Sequence, residues 1–199
     1  MNAILSRLIT ESYDAVEAES ALSFQPTDSA LQKLLEAGKA VLSSFPYKPG
    51  ACTLMSAMWT ALIRDNTEYP IHAVAGSLFI DGHHLFGSDS TANQRKGAFK
   101  GINLDWDGHC WIIFGNLIGD VSLFRTAYSN ASPRVLKEKV LSVFGEGRGL
   151  FVMPADTTTK RGIRYEPKYV LTDDEITGLC NGALSMIENQ LVNFPGADD

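Results

Sequence analysis

Residues 50–64, Gly-Ala-Cys-Thr-Leu-Met-Ser-Ala-Met-Trp-Thr-Ala-Leu-Ile-Arg, decide how this chain is read. They follow Pro46 and Pro49, so a hard break precedes them, and they continue as an apolar helix from Cys52 to about Arg64. Two amphipathic stretches lie upstream. Residues 3–22 place Ile4, Leu5, Leu8, Ile9, Tyr13 and Val16 on one stripe, which predicts a first helix. Pro26 interrupts, and Thr27 or Asp28 caps a second helix with Leu31, Leu34, Leu35, Val41 and Leu42 on its stripe.

Downstream the period changes from helix to strand. Residues 70–80 are β-rich, and Asp81-Gly82 predicts a two-residue hairpin turn into His83–Phe86. Residues 87–107 are rich in Gly, Ser, Asp, Asn and Lys and read as a long surface loop. His109–Phe114 and Ile118–Phe124 then read as two strands turning near Gly115-Asn116. Ser132-Pro133 opens a helix that Gly145 closes. Leu150–Met153 and Tyr165–Leu171 predict further strands with a charged loop between them. Thr172-Asp173-Asp174-Glu175 is a capping box for a last helix to about Val192. Helices first, then strands, then mixed elements predict an α+β fold rather than a doubly wound sheet.

The bulk composition sets limits. The chain has 199 residues, 45% hydrophobic and 20% charged, which favours one domain with a full core: a helical part over 1–45, a central part over 46–125, and 126–199 completing the fold. Its net charge of −6 argues against a nucleic-acid partner, because phosphate binding needs concentrated basic surface. No run reaches the ~20 apolar residues of a membrane span. The N-terminus lacks the pattern of a signal peptide, and the three cysteines, Cys52, Cys110 and Cys180, are an odd number with wide spacing, which is not a disulfide framework. A reduced, cytoplasmic protein is the expectation.

Cys52 stands at a helix start. A thiol there feels the partial positive charge of unsatisfied N–H groups, which favours thiolate, and the same groups can receive an oxyanion. Most free cysteines are simply small buried hydrophobes, so Cys52 needs a base to be functional. Of the four histidines, His109 begins a strand whose alternation puts His109, Trp111 and Ile113 on one face. With Gly115-Asn116 as the turn, Asp120 faces Trp111 and is the diagonal neighbour of His109, within side-chain reach. Such a carboxylate fixes the imidazole tautomer. If the register differs, Ser122 or Asp107 is the alternative neighbour.

Gly50-Ala51-Cys52, Ala57, Leu62, Arg64, Pro70, Val74 and Gly76 together resemble the core of the transglutaminase-like superfamily of papain-like cysteine enzymes. His109-Cys110-Trp111 resembles its His-x-Trp strand, and Asp120 falls on the next strand. The likeness covers about residues 45–125. It implies a papain-like fold, with the nucleophile helix packed on an antiparallel sheet, and a triad of Cys52 as nucleophile, His109 as base and acid, and Asp120 as orienting group. The chain departs from the pattern in a long insertion before His109 and in Asp120-Val121 where the superfamily has Asp-Pro. No glutamine stands upstream of Cys52 to serve an oxyanion, which leaves Tyr47 as its substitute.

These readings leave two classes open. One is a hydrolase or acyltransferase working through a thioester on a peptide, protein or small amide. The other is a binding module with a degenerate triad, in which Trp106 and Trp111 line a groove. No cofactor is called for. Metal binding is disfavoured, since His83-His84 and His109-Cys110 are adjacent strand pairs that point to opposite faces. Asp105 and Asp107 read as a solvated loop, and Gly145–Gly149 as helix termination rather than a phosphate loop.

Overall fold

The computed structural model describes residues 2–48, 50–87, 99, 107–147 and 149–192, the side chains of 190–192 excepted. The predicted first helix is two: α1 (Asn2–Ser12) and α2 (Ala15–Ser23). Asp14 takes an extended backbone and its carboxylate accepts the Glu17 N–H at 2.8 Å. A short polar side chain thus offers the backbone a cap, and the helix restarts there. Val16, counted on the apolar stripe, is consequently 77% exposed. Thr27 caps α3 (Asp28–Ser44) as read, its Oγ1 accepting the Ala30 N–H at 3.2 Å. α4 runs Cys52–Asn66.

Six antiparallel strands make one sheet: β1 (Ile71–Ile80), β2 (His83–Phe86), β3 (His109–Phe114), β4 (Leu117–Asp120), β5 (Phe151–Pro154) and β6 (Ile163–Val170). β1 is its centre. Residues 71–76 of β1 pair with β3 and residues 78–80 with β2, so these two strands share one edge of it; β6 takes the other edge along 74–80. Asp81 and Gly82 both have positive φ, 47° and 83°, as a tight hairpin of this hand requires. β4 and β5 extend the sheet beyond β3.

Two sequence expectations are corrected in the second half. The strand drawn over 118–124 stops at Asp120, and α5 (Leu123–Tyr128) begins, because the Asp120 carboxylate accepts the N–H groups of Ser122 and Leu123. The charged loop between β5 and β6 contains α7 (Ala155–Lys160). α6 (Arg134–Phe144) ends at Gly145, whose φ of 74° suits glycine. α8 (Asp173–Val192) opens with the reciprocal cap: the Thr172 N–H donates to Glu175 and the Glu175 N–H to Thr172 Oγ1. Most of the loop drawn over 87–107 lies outside the described residues. Among the described residues, no helix is long and apolar enough to cross a membrane.

The sheet is covered on both faces, which is why β3 is buried at every position and carries no polar alternation. On one face Cys110, Ile112 and Phe114 pack with Leu34, Leu54 and Trp59 of α3 and α4. On the other, Trp111 and Ile113 pack with Leu5, Ile9, Phe124 and Val140 from α1, α5 and α6. Trp59 is completely buried and donates its indole N–H to the Leu34 carbonyl at 2.8 Å. Its ring lies directly over Gly119, where an added Cβ would sit 2.6 Å from Ile112 Cδ1 and 2.8 Å from Trp59. Gly119→Ala should therefore overpack this layer and destabilise by about 1–3 kcal/mol. Urea unfolding checks it; an unchanged midpoint would show that the layer has slack.

Candidate active site

Gly50, with a φ of 77°, turns the chain into α4, and Cys52 is the first residue of that helix. The position before it, Ala51, makes no side-chain cap, so no capping side chain takes up the N–H groups of the first turn. Cys52 is 8% exposed and borders both the core and an open cavity, its Sγ 4.0 Å from the Gly108 carbonyl.

The hairpin brings the other two residues together. The register Phe114↔Leu117, Ile113↔Ile118, Ile112↔Gly119 follows from a turn at Gly115-Asn116. One further step sets Asp120 diagonal to His109, and the side chains meet: His109 Nε2 is 2.5 Å from Asp120 Oδ2. Ser122 and Asp107 do not take that role. Ser122 donates to Asp120 from both its N–H and its hydroxyl, and Asp107 accepts the Gly87 N–H.

Asp120 is fully buried and richly satisfied. Oδ1 accepts from Ser122 N (2.9 Å), Ser122 Oγ (3.2 Å) and Leu123 N (2.8 Å). Oδ2 accepts from the Tyr165 hydroxyl at 2.8 Å and faces His109. Burial pushes the carboxyl pKa up, but the imidazole and these donors outweigh it and the net shift is downward. For His109 burial works to lower the pKa. The Asp120 carboxylate, with a smaller part from the Cys52 side chain, overcomes it and raises the imidazole above the ordinary histidine range. Since Nε2 is committed to Asp120, Nδ1 is the ring nitrogen left to serve the Cys52 thiol.

Cys52 and His109 open on one cavity of about 350 Å³, with Tyr47, Phe86, Ser122 and Arg125 among its walls. Tyr47 stands 58% exposed on the rim and its hydroxyl donates to the Arg125 carbonyl at 2.9 Å. Trp111, expected in the groove, is 1% exposed; it packs on Tyr165 with ring centroids 4.9 Å apart and lies outside the described cavity wall. Trp106 and Asp105 lie outside the described residues. His83 and His84 are exposed on β2, and among the described residues no three His, Cys, Asp or Glu side chains cluster as metal ligands would.

Tyr165 and Arg125 were missed in the sequence. Tyr165 lies 45 residues beyond Asp120 on a strand that reaches it across the sheet, a contact no local spacing announces. Arg125 sat just past the strand read as ending at Phe124.

The shifted pair links stability to pH. The raised His109 value contributes stability that is complete below the ordinary value of about 6.5 and is lost as pH rises through the folded value. The lowered Asp120 value contributes stability above about 3.9 that is lost as pH falls through its folded value. In a Cys52→Ala background, the stability advantage of His109 over His109→Gln should therefore shrink between pH 6.5 and 8, by up to about 1.4 kcal/mol per unit. Denaturant titrations across that range measure it; an advantage that holds constant or grows would contradict the shift.

The chain matches no protein-family model, no curated protein and no solved structure.

Proposed function

We propose that this protein is a cysteine-dependent hydrolase or acyltransferase of papain-like, transglutaminase-like architecture, acting on an amide or ester. The observation that supports the reading is a buried His109–Asp120 pair and a helix-start thiol opening on one cavity. Cys52 Sγ attacks as the thiolate, the ion-pair proton sitting on His109, so that the S–C bond forms at the substrate carbonyl carbon as its π electrons move to oxygen. The first-turn N–H groups of α4, free of a capping side chain, are donors available to that oxyanion. Collapse breaks the bond to the amine or alcohol, which takes the proton held on His109, and a thioester remains. Water or an amine then attacks the thioester, gives its proton to His109, and releases Cys52. Hydrolysis and transfer differ only in that second acceptor. Asp120 keeps the ring oriented and the imidazolium stabilised throughout.

Selective thiol alkylation tests this. Iodoacetamide on the native protein near pH 7, mapped by mass spectrometry, should label Cys52 ahead of the other two cysteines. Burial raises the Cys110 thiol well above its ordinary range, and burial with nearby Asp65 pushes Cys180 up to about 11. His109→Ala should slow Cys52 labelling by at least about tenfold. Equal, sluggish labelling of all three would leave a binding module with an inert triad.

A further inference from the structure

We propose that the Cys52 cavity accepts an acyl group bearing a carboxylate, and that the Arg125 guanidinium recognises it. The proposal rests on the cysteine-enzyme reading and names its substrate class. Arg125 lines the same cavity as Cys52 and His109. Its Nη1 donates to the carbonyls of Phe45 (2.9 Å) and Pro46 (3.1 Å), and its Nη2 to that of Leu42 (2.5 Å). Two of its five N–H groups, on Nε and Nη2, thus have no acceptor among the described residues.

More telling is the absence of a counter-charge. No carboxylate pairs with Arg125 among the described residues. Three carbonyls supply dipoles, not a negative charge, and partial burial works against the cation. The same grip holds the guanidinium in place, so a ligand need not order it. Lys48, exposed on the same wall and in no ion pair among the described residues, adds positive charge. Asp107, the acidic side chain of the described wall, is held by the Gly87 N–H. A cavity of about 350 Å³ suits a side-chain-sized group rather than a long peptide. The ligand chemistry is a carboxylate near the reacting carbonyl, from a dicarboxylic half-amide or from an acidic residue of a peptide.

Two alkylating probes of equal size test it. In both, the Cys52 sulfur forms a bond to carbon and iodide leaves; iodoacetate carries a negative charge and iodoacetamide none. The readout is the ratio of their rate constants at Cys52, referred to the same ratio for N-acetylcysteine. The His109 imidazolium also attracts the anion, so the decisive quantity is the change on Arg125→Gln. The expected ratio is above the reference and falls about fivefold in Arg125→Gln, while Arg125→Lys retains most of it. If Arg125→Gln does not fold, raising NaCl from about 0.05 to 0.5 M on the wild type should lower the ratio instead. A ratio equal to the reference, or unchanged by both, overturns the proposal while leaving an iodoacetamide-reactive Cys52 intact. If Cys52 reacts no faster than Cys180 with either probe, the enzyme reading itself falls. Slowing of iodoacetamide labelling by glutarate alone assigns a small dicarboxylate; slowing by acetyl-Ala-Glu-Ala-amide as well assigns an acidic peptide side chain; slowing by neither overturns the class.

Discussion

The Asp120 carboxylate is buried without any solvent contact, and it stays ionised there because every direction around it holds a donor. A lone buried carboxylate would cost several kcal/mol. This one joins three parts of the fold. It ends β4 and caps α5, it accepts from β6 through Tyr165, and it faces His109 on β3. Removing it would leave three polar side chains and two N–H groups without this partner in the interior, so the site and the fold depend on the same group.

That group also reaches Cys52 by a second route. α5, started by Asp120, carries Arg125, and Arg125 grips the carbonyls of Leu42, Phe45 and Pro46 just before the turn into α4. Tyr47 closes the same contact from the other side through the Arg125 carbonyl. The carboxylate and the thiol therefore belong to one connected frame, although 68 positions separate Cys52 from Asp120 in the chain. Beneath them two tryptophans set the layers. Trp59 packs over Gly119, one residue before Asp120, and Trp111 packs against Tyr165, which holds Asp120 from behind.

Much of this was legible because it is local. The cap at Thr27, the reciprocal cap at Thr172 and Glu175, the turn at Asp81-Gly82 and the helix start at Cys52 are each written in a few adjacent residues. The Gly115-Asn116 turn fixed the register, and parity then placed Asp120 beside His109. What failed was decided by competition or by distance. Asp14 caps a new helix where the apolar stripe ran on unbroken, and Asp120 stops a strand that hydrophobicity alone would continue to Phe124. Trp111 shares the His109 face, as alternation requires, yet that face at this depth is core and not groove. The roles of Tyr165 and Arg125 depend on strands and loops meeting from far along the chain, which spacing does not encode.

The central claim is that Asp120 holds His109 as an imidazolium beside Cys52. Nitrogen-15 NMR of the histidine-labelled protein reads this directly, one ring at a time. Burial, with the Arg64 guanidinium on Nδ1, lowers His72 to about 3 despite Glu17 at 3.2 Å from Nε2, so its ring reports the neutral form. The account predicts that His109 keeps imidazolium shifts above pH 7.5, beyond the ordinary histidine value of about 6.5, and that Asp120→Asn brings its deprotonation back down. A His109 ring that deprotonates at or below about pH 6.5 would contradict it.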